Sequence, residues 1–359
     1  MKIFIGFFIF CLVLFIYLHI QFHIKKSNDL EIYEIDDASK DKLEEICDMR
    51  QPVLIDFDNQ KIIDTTNRKY ILDNYHAFEI KIRNVKETET NNDLYVPLPL
   101  HASDKLFNED KNSSYFSENN SDFLNETGVI KNLKYNDEYL RPYMVSNMNY
   151  DIMLGSEGTC TPFRYEINYR NFLICTEGSV EIKMAPPQSI KYLYPVYDYE
   201  NLEFRSPVNP WNVQPKYLAD FDKIKCLEFS LPKAKTVFIP AYWWYSIKFT
   251  KNSSLSCLNY RTYMNNLAIS PYIGMHILQL QNIKRNTTKN AHLDDLKIDN
   301  TNSKNNEPED NVNNVNNVAN IKNNNVKLDE NLVNLDVIKN NQYFPEPILM
   351  NENIGSEIN

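Results

Sequence analysis

The sequence predicts a mainly β protein, a sandwich or barrel with flanking helices, preceded by an apolar anchor and followed by a disordered tail. Three observations predict it. Between Tyr150 and Met264 the chain alternates short β-branched and aromatic runs with Pro, Gly, Asn and Ser punctuation. The first two dozen residues are almost wholly apolar. The last seventy or so are polar and Asn-rich.

The opening "MKIFIGFFIFCLVLFIYLHIQFHIKK" is apolar from Ile3 to about Ile20. About 20 such residues, rising 1.5 Å each, cross a bilayer core of roughly 30 Å. A cleaved signal has a shorter apolar region and a small-residue cleavage site. Neither fits here, so residues 1–24 are predicted to be an uncleaved, single-pass anchor in contact with membrane lipid. Lys2 and the amino terminus balance Lys25 and Lys26, so charge gives no orientation.

A domain is predicted from 30 to 285, with its barrel core at about 150–264. Ser39 stands as a cap before a helix whose apolar positions are Leu43, Ile46 and Cys47. "RQPVLIDF" then turns to strand, "RKYILDNY" is a weaker helix, and "AFEIKIRNV" alternates as a strand. "SDKLFNEDKNSSYFSENNSDFLNETG" is predicted as a loop with helical turns. The barrel strands are "YDIMLG", "FRYEIN", "NFLICTEG", "SVEIKMAP", "CLEFSLP", "TVFIPAYWWYSIKF" and "LSCLNYRTY". A helix follows Pro271, with Ile273, Met275, Ile277, Leu278 and Leu280 expected to cover a barrel face. From 286 to 359 the chain lacks the apolar content to offset its conformational entropy and is predicted disordered.

Composition excludes several classes. Only 7 glycines occur in 359 residues, and no phosphate-binding glycine loop is present. The net charge of −10, without a basic stripe, argues against nucleic acid as a partner. Five cysteines outside the anchor, none in CxxC spacing, predict buried free thiols rather than a zinc site or disulfide framework.

The segments "GSEGTCTPFRYE", "NFLICTEGSVEIKMAPP", "YLYP", "SPVNPWN", "TVFIPAYWWYSI" and "LNYRTY", in that order, resemble the cupin-like branch of the JmjC oxygenase superfamily. The similarity covers about Tyr150 to Tyr263, and more weakly back to Glu31. It is nearest in look to membrane-anchored cupin-like proteins of giant DNA viruses, which would place the chain in a viral or internal membrane. The resemblance implies a double-stranded β-helix, a cupin/JmjC-like jelly roll. It also implies Fe(II) held by an H-x-D/E pair and a distal histidine, with 2-oxoglutarate as co-substrate. Residues two apart on a strand share a face, so such a pair enters the barrel together.

Here the matching pair is Arg164 and Glu166, with Tyr165 facing away, and Tyr245 holds the distal place. A guanidinium stays protonated and offers no lone pair to a metal. None of the six histidines falls at either position. Thr161, Asn171 and Asn259 match places that line the family's co-substrate site. The basic residue expected near Val180 is missing, and Lys183 lies on the opposite strand face. These residues therefore stand as altered metal positions (Arg164, Glu166, Tyr245) and possible pocket residues (Thr161, Asn171, Asn259), with no metal, no cofactor and no catalytic residue predicted. Arg164 is expected to pair with Glu166 inside the barrel, with Tyr245 bonded to that pair; binding an anion and facing solvent are its alternatives. Trp243 and Trp244 are expected to divide between the core and a covered outer face, and Trp211 to sit in a rigid turn. The predicted role is non-catalytic, structural or protein-binding, with an unidentified protein partner. The alternatives are an oxygenase or another enzyme with atypical ligands, and a sugar- or anion-binding module.

Overall fold

The computed structural model describes residues 2–36, 38–57, 59–85 and 95–285. The Asn-rich segment 286–359 lies outside the described residues.

The chain begins with helix α1 (Lys2–Ile24), strand β1 (Tyr33–Ile35), α2 (Lys40–Cys47) and β2 (Val53–Asp56). Next come α3 (Gln60–Thr66), α4 (Arg68–Tyr75), β3 (Glu79–Asn84), β4 (Val96–Pro99) and α5 (Leu100–Glu109). Strand β5 (Tyr115–Ser117), α6 (Ser121–Glu126) and α7 (Val129–Asn136) lead to the barrel strands. These are β6 (Val145–Gly155), β7 (Phe163–Tyr165), β8 (Arg170–Glu177), β9 (Ser179–Ala185), β10 (Val196–Asp198) and β11 (Glu203–Ser206). After α8 (Leu218–Phe221) follow β12 (Leu227–Pro232), β13 (Lys235–Ile239), β14 (Trp244–Phe249) and β15 (Ser254–Thr262), then α9 (Tyr263–Ala268) and α10 (Ser270–Arg285).

Among the described residues the strands form a nine-stranded sheet, β1-β2-β13-β8-β15-β6-β5-β3-β4, and a six-stranded sheet, β10-β11-β7-β14-β9-β12. Pairing is antiparallel except between β1 and β2. Alternation along the strands sorts side chains into three layers. Between the sheets lie Leu173, Val180, Ile182, Met184, Val237, Ile247, Phe249 and Leu255. On the far face of the large sheet, Phe172, Ile174, Phe238 and Leu258 pack with Leu43, Ile62, Ile71 and Leu133 from the flanking helices. On the far face of the small sheet, Phe163, Tyr165, Phe204 and Trp244 pack with Ile269. This is the expected double-stranded β-helix with flanking helices.

Local chemistry explains the elements. Ser39 caps α2 by accepting from the Lys42 amide at 3.3 Å. The run "TVFIPAYWWYSIKF" divides at Pro240, which cannot donate to a ladder, so it yields two strands instead of one. Gly178 turns β8 into β9 with φ +67, where other residues are strained. A Cβ on Gly155 would stand 2.5 Å from the Phe249 ring, so the two sheets close there over hydrogen alone.

Two expectations are corrected. The segment after Ser103 is more ordered than a loop, because Tyr115–Ser117 pairs with both β3 and β6. The helix after Pro271 exists, but Met275, Ile277, Leu278 and Leu280 are exposed. Its packed stripe is Tyr272, Ile273, His276 and Gln279, with the His276 ring 2.7 Å from the Tyr199 carbonyl. The tryptophans divide as expected, Trp243 into the layer between the sheets and Trp244 into the outer layer. The cysteines after α1 are free thiols; Cys47, Cys175 and Cys257 are buried, whereas Cys160 and Cys226 are half-buried.

Candidate functional site

The apolar filling between the sheets stops short of one end. There a cavity of about 300 Å³ opens, with Met153, Leu173, Ile239, Tyr245 and Cys257 among its walls. The rest of its lining is strongly polar and includes Glu118, Asp151, Arg164, Glu166, Glu203 and Arg261. Arg164 and Glu166 both reach this space, as their spacing predicts, while Tyr165 turns outward to stack on Phe204 at 5.2 Å.

Arg164 does not pair with Glu166. Its Nη2 lies 2.6 Å from Glu118 Oε2 and its Nη1 3.5 Å from Glu203 Oε1. Arg83 completes a square, with Nη1 2.8 Å from Glu118 and 2.9 Å from Glu203. Tyr95 donates to Glu118 at 2.9 Å. The register explains the choice of partners. Arg164 lies beside Arg205 on β11 and Tyr245 on β14, and Glu203 is two residues from Arg205 on the same face. Glu118 arrives from the opposite sheet in the turn after β5. That turn is pinned by Asp151, whose carboxylate accepts from the Asn119 and Asn120 amides, each at 2.6 Å.

Electrostatics separates the carboxyls. Burial would raise the Glu118 carboxyl, but Arg164 and Arg83 outweigh it and hold it at about 2. Burial would lower the Arg164 guanidinium; Glu118 above all reverses this and keeps the cation well above its ordinary range. Burial raises Glu166, against the opposing pull of Arg164 and the Tyr245 hydroxyl. Burial likewise lifts Asp151 to about 6, despite its backbone donors.

Glu166 belongs to a second chain of contacts. Tyr245 donates to its Oε1 at 3.1 Å and Asn168 to its Oε2 at 3.3 Å. Arg261 Nε donates to Asn168 Oδ1 at 2.6 Å. The expected Tyr245 hydrogen bond is present, on Glu166. Asn171 and Asn259 face one another across β8 and β15 and both line the cavity. Thr161 is not among the lining residues; its hydroxyl accepts from the Ile247 amide at 2.9 Å and its carbonyl from the Ser246 hydroxyl at 2.6 Å, which fastens a strand end. Lys183 faces outward, as expected, pairing with Glu228 at 2.9 Å beside the Trp211 ring. Trp211 is held by Asn209 Oδ1, which accepts from its amide at 2.9 Å.

Iron does not fit these residues. The Arg164 guanidinium, paired with two carboxylates, stands at the position matched to the family's first ligand, and the Tyr245 hydroxyl, matched to the distal one, donates to Glu166. Among the described residues no group of three or more His, Cys, Asp or Glu side chains could hold a metal ion.

Sequence reading missed Glu118, Glu203, Arg83, Asp151 and Arg261. Arg83 carried one local signal, since it lies on the face of β3 opposite Ile80 and Ile82. Arg261 carried another, lying two residues from Asn259 and so on the same face of β15; nothing local marked Glu118, Glu203 or Asp151.

Two facing sheets around a polar-mouthed interior define a jelly-roll barrel of the cupin type. A family model described as a cupin-like domain matches residues 24–267, and the chain belongs to that family. No curated protein matches the chain.

Proposed function

We propose that this is a membrane-anchored cupin-like protein whose former metal site has become an ion-pair cluster, and whose barrel serves recognition rather than oxidation. One observation carries the reading: the Arg164–Glu118 contact at 2.6 Å. It sets a permanent cation where the family's first metal ligand would stand. Moving that cation aside would leave Glu118 to Arg83 alone in a buried setting, at a cost of roughly 3–5 kcal/mol for a broken buried pair. The anchor is α1, the one helix among the described residues long and apolar enough to cross a bilayer, a test that an N-terminal signal sequence also passes. The setting, a viral or internal membrane, and the protein partner rest on the sequence likeness. The test is succinate formation with Fe(II), 2-oxoglutarate and oxygen. None is expected above buffer; turnover that Glu166→Ala abolishes overturns the reading.

A second reading, a sugar- or anion-binding module, is supported by the cavity itself. A barrel acting as scaffold alone would be filled by side chains. This one keeps about 300 Å³ lined by Asn147, Asn149, Asn171, Asn259 and Arg261. Asn147, Asn149 and Asn259 bring amide donors and acceptors to it, a match for hydroxyls or carboxylates, while Asn171 is bonded to Asn168 and the Ile239 carbonyl. Arg164 Nε has no hydrogen-bond acceptor among the described residues. Thermal unfolding with monosaccharides, dicarboxylates or phosphate tests this reading. A ligand at 100 times its Kd stabilises by about 2.7 kcal/mol, and Asn259→Ala should reduce the effect. Unchanged unfolding across all three classes removes this reading and leaves the scaffold role.

A further inference from the structure

We propose that the domain makes a second membrane contact beside its anchor, an apolar lip of Tyr143, Met144, Tyr263 and Leu267 that enters the bilayer interface. The inference rests on α1 being a retained membrane anchor, as read above.

The anchor is not a free tether. His23 Nε2 lies 3.1 Å from Thr262 Oγ1, and its ring lies 4.9 Å from that of Tyr169. Arg50 donates to the Phe22 carbonyl at 3.5 Å and stands 5.3 Å over the Phe22 ring. Thr262 is also the N-cap of α9, accepting from the Asn265 amide at 3.1 Å. One residue thus joins the end of the anchor to the start of the helix that packs against it.

A mainly apolar groove of about 660 Å³ separates α1 from the lip, with Phe15, Leu18 and Phe22 on one wall and Tyr143, Met144 and Met264 on the other. Phe15 lies about 14 Å from Ile24 along the axis, at 1.5 Å per residue. With Ile24 at the membrane boundary, a groove that reaches Phe15 extends below the headgroups. The lip is therefore carried to lipid by the same rigid junction that holds α1.

Its chemistry suits that place. Met144 is 75% exposed, Tyr263 64%, Tyr143 58% and Leu267 40%. Met144 adopts a left-handed backbone with φ 57, uncommon for a residue with a side chain. Its carbonyl accepts from the Tyr263 amide at 3.4 Å, so the loop tip and α9 form one surface. Tyr263 and Leu267, four apart, share a face of α9. Tyrosine is favoured at the membrane–water boundary. Glu44 and Asp48 also border the groove; Arg170 binds both, at 2.9 and 2.6 Å, which leaves the trio with a single net negative charge at the groove's edge. Lipid is the occupant because the groove shares a wall with a helix that itself lies in lipid.

The experiment uses the full chain in phosphatidylcholine vesicles with brominated acyl chains. Met144→Trp and Leu267→Trp report the lip, Val13→Trp the anchor and Tyr135→Trp the solvent side, each read against the emission of the native tryptophans. Lip reporters should be quenched most by bromines near the carbonyls, at a depth of roughly 5–10 Å. Val13→Trp should be quenched most by deep bromines, and Tyr135→Trp by none. Quenching at Val13→Trp without quenching at the lip overturns the surface and leaves the anchor. No quenching at Val13→Trp overturns the anchor, and the surface with it. A lip shielded from both bromolipid and aqueous acrylamide is covered by protein, which also overturns the proposal.

Discussion

Arg164 on β7 and Glu118 after β5 meet at 2.6 Å from opposite sheets, so a buried ion pair bridges the barrel mouth. Arg83, from the same sheet as Glu118, binds both carboxylates of the cluster. The charges alternate around a square, and each guanidinium faces two carboxylates.

Breaking the square on one side should cost more than removing a matched pair. Arg164→Met leaves Glu118 to Arg83 alone, with Glu203 held by Arg83 and Arg205, and should destabilise by roughly 3–5 kcal/mol. Arg164→Met combined with Glu118→Leu leaves Arg83 facing Glu203 at 2.9 Å and should lose less. Urea denaturation of both variants measures the difference. A double variant that loses more than Arg164→Met alone, as independent charges would, contradicts the prediction.

Asp151 positions Glu118 through the backbone. Asp151→Ala strands the Asn119 and Asn120 amides that the carboxylate now accepts from. Leaving a buried donor unpaired costs about 1–3 kcal/mol. Amide hydrogen exchange at Asn119 and Asn120 should accelerate selectively. Uniform acceleration across β6 would point to general loosening instead.

Stability should fall on the acid side because of Glu118. Its folded carboxyl sits at about 2 against an ordinary 4.5, so its contribution is complete above 4.5 and is lost as pH drops toward 2. That contribution is on the order of 3 kcal/mol. Asp151 acts in the opposite sense. Raised to about 6, it favours the fold fully below its unfolded value near 3.8 and progressively less as pH rises through 6. Unfolding free energy should therefore climb from pH 7 to about 5 and decline below about 4.5. Glu118→Gln should flatten the acid limb; an unchanged limb contradicts the assignment.

Tyr245→Phe removes the hydroxyl that donates to Glu166 at 3.1 Å. A hydrogen bond to a charged group contributes about 1.5–3 kcal/mol. Burial already raises the Glu166 carboxyl, and losing this donor raises it further. The destabilisation should therefore be larger at pH 8 than at pH 5. A pH-independent loss would mean that Glu166 does not change its protonation between those two values.

The barrel was legible because its information is local. Two-residue alternation placed Arg164 and Glu166 inward and Tyr165 outward, and the Ser39 cap set the start of α2. The ion cluster was not legible, because its members lie on β3, the turn after β5, β7 and β11. Which strands become neighbours is a long-range property, and local alternation assigns a face without naming what stands opposite. The likeness to metal sites drew attention to Glu166 as the partner of Arg164; Glu118, reaching across from the other sheet, lies closer to it. On α10 the hydrophobic positions misled for a related reason. His276 and Gln279 lie on the packed stripe while Ile277 and Leu278 face outward.

The central claim, that a fixed cation has replaced metal ligation, is tested most directly by anaerobic Fe(II) titration of the purified full-length protein, with bound iron counted after gel filtration. The account predicts no retained iron in the wild type, and binding only when Arg164→His and Tyr245→His are introduced together. One equivalent of iron retained by the wild type, and lost in Glu166→Ala, would contradict it.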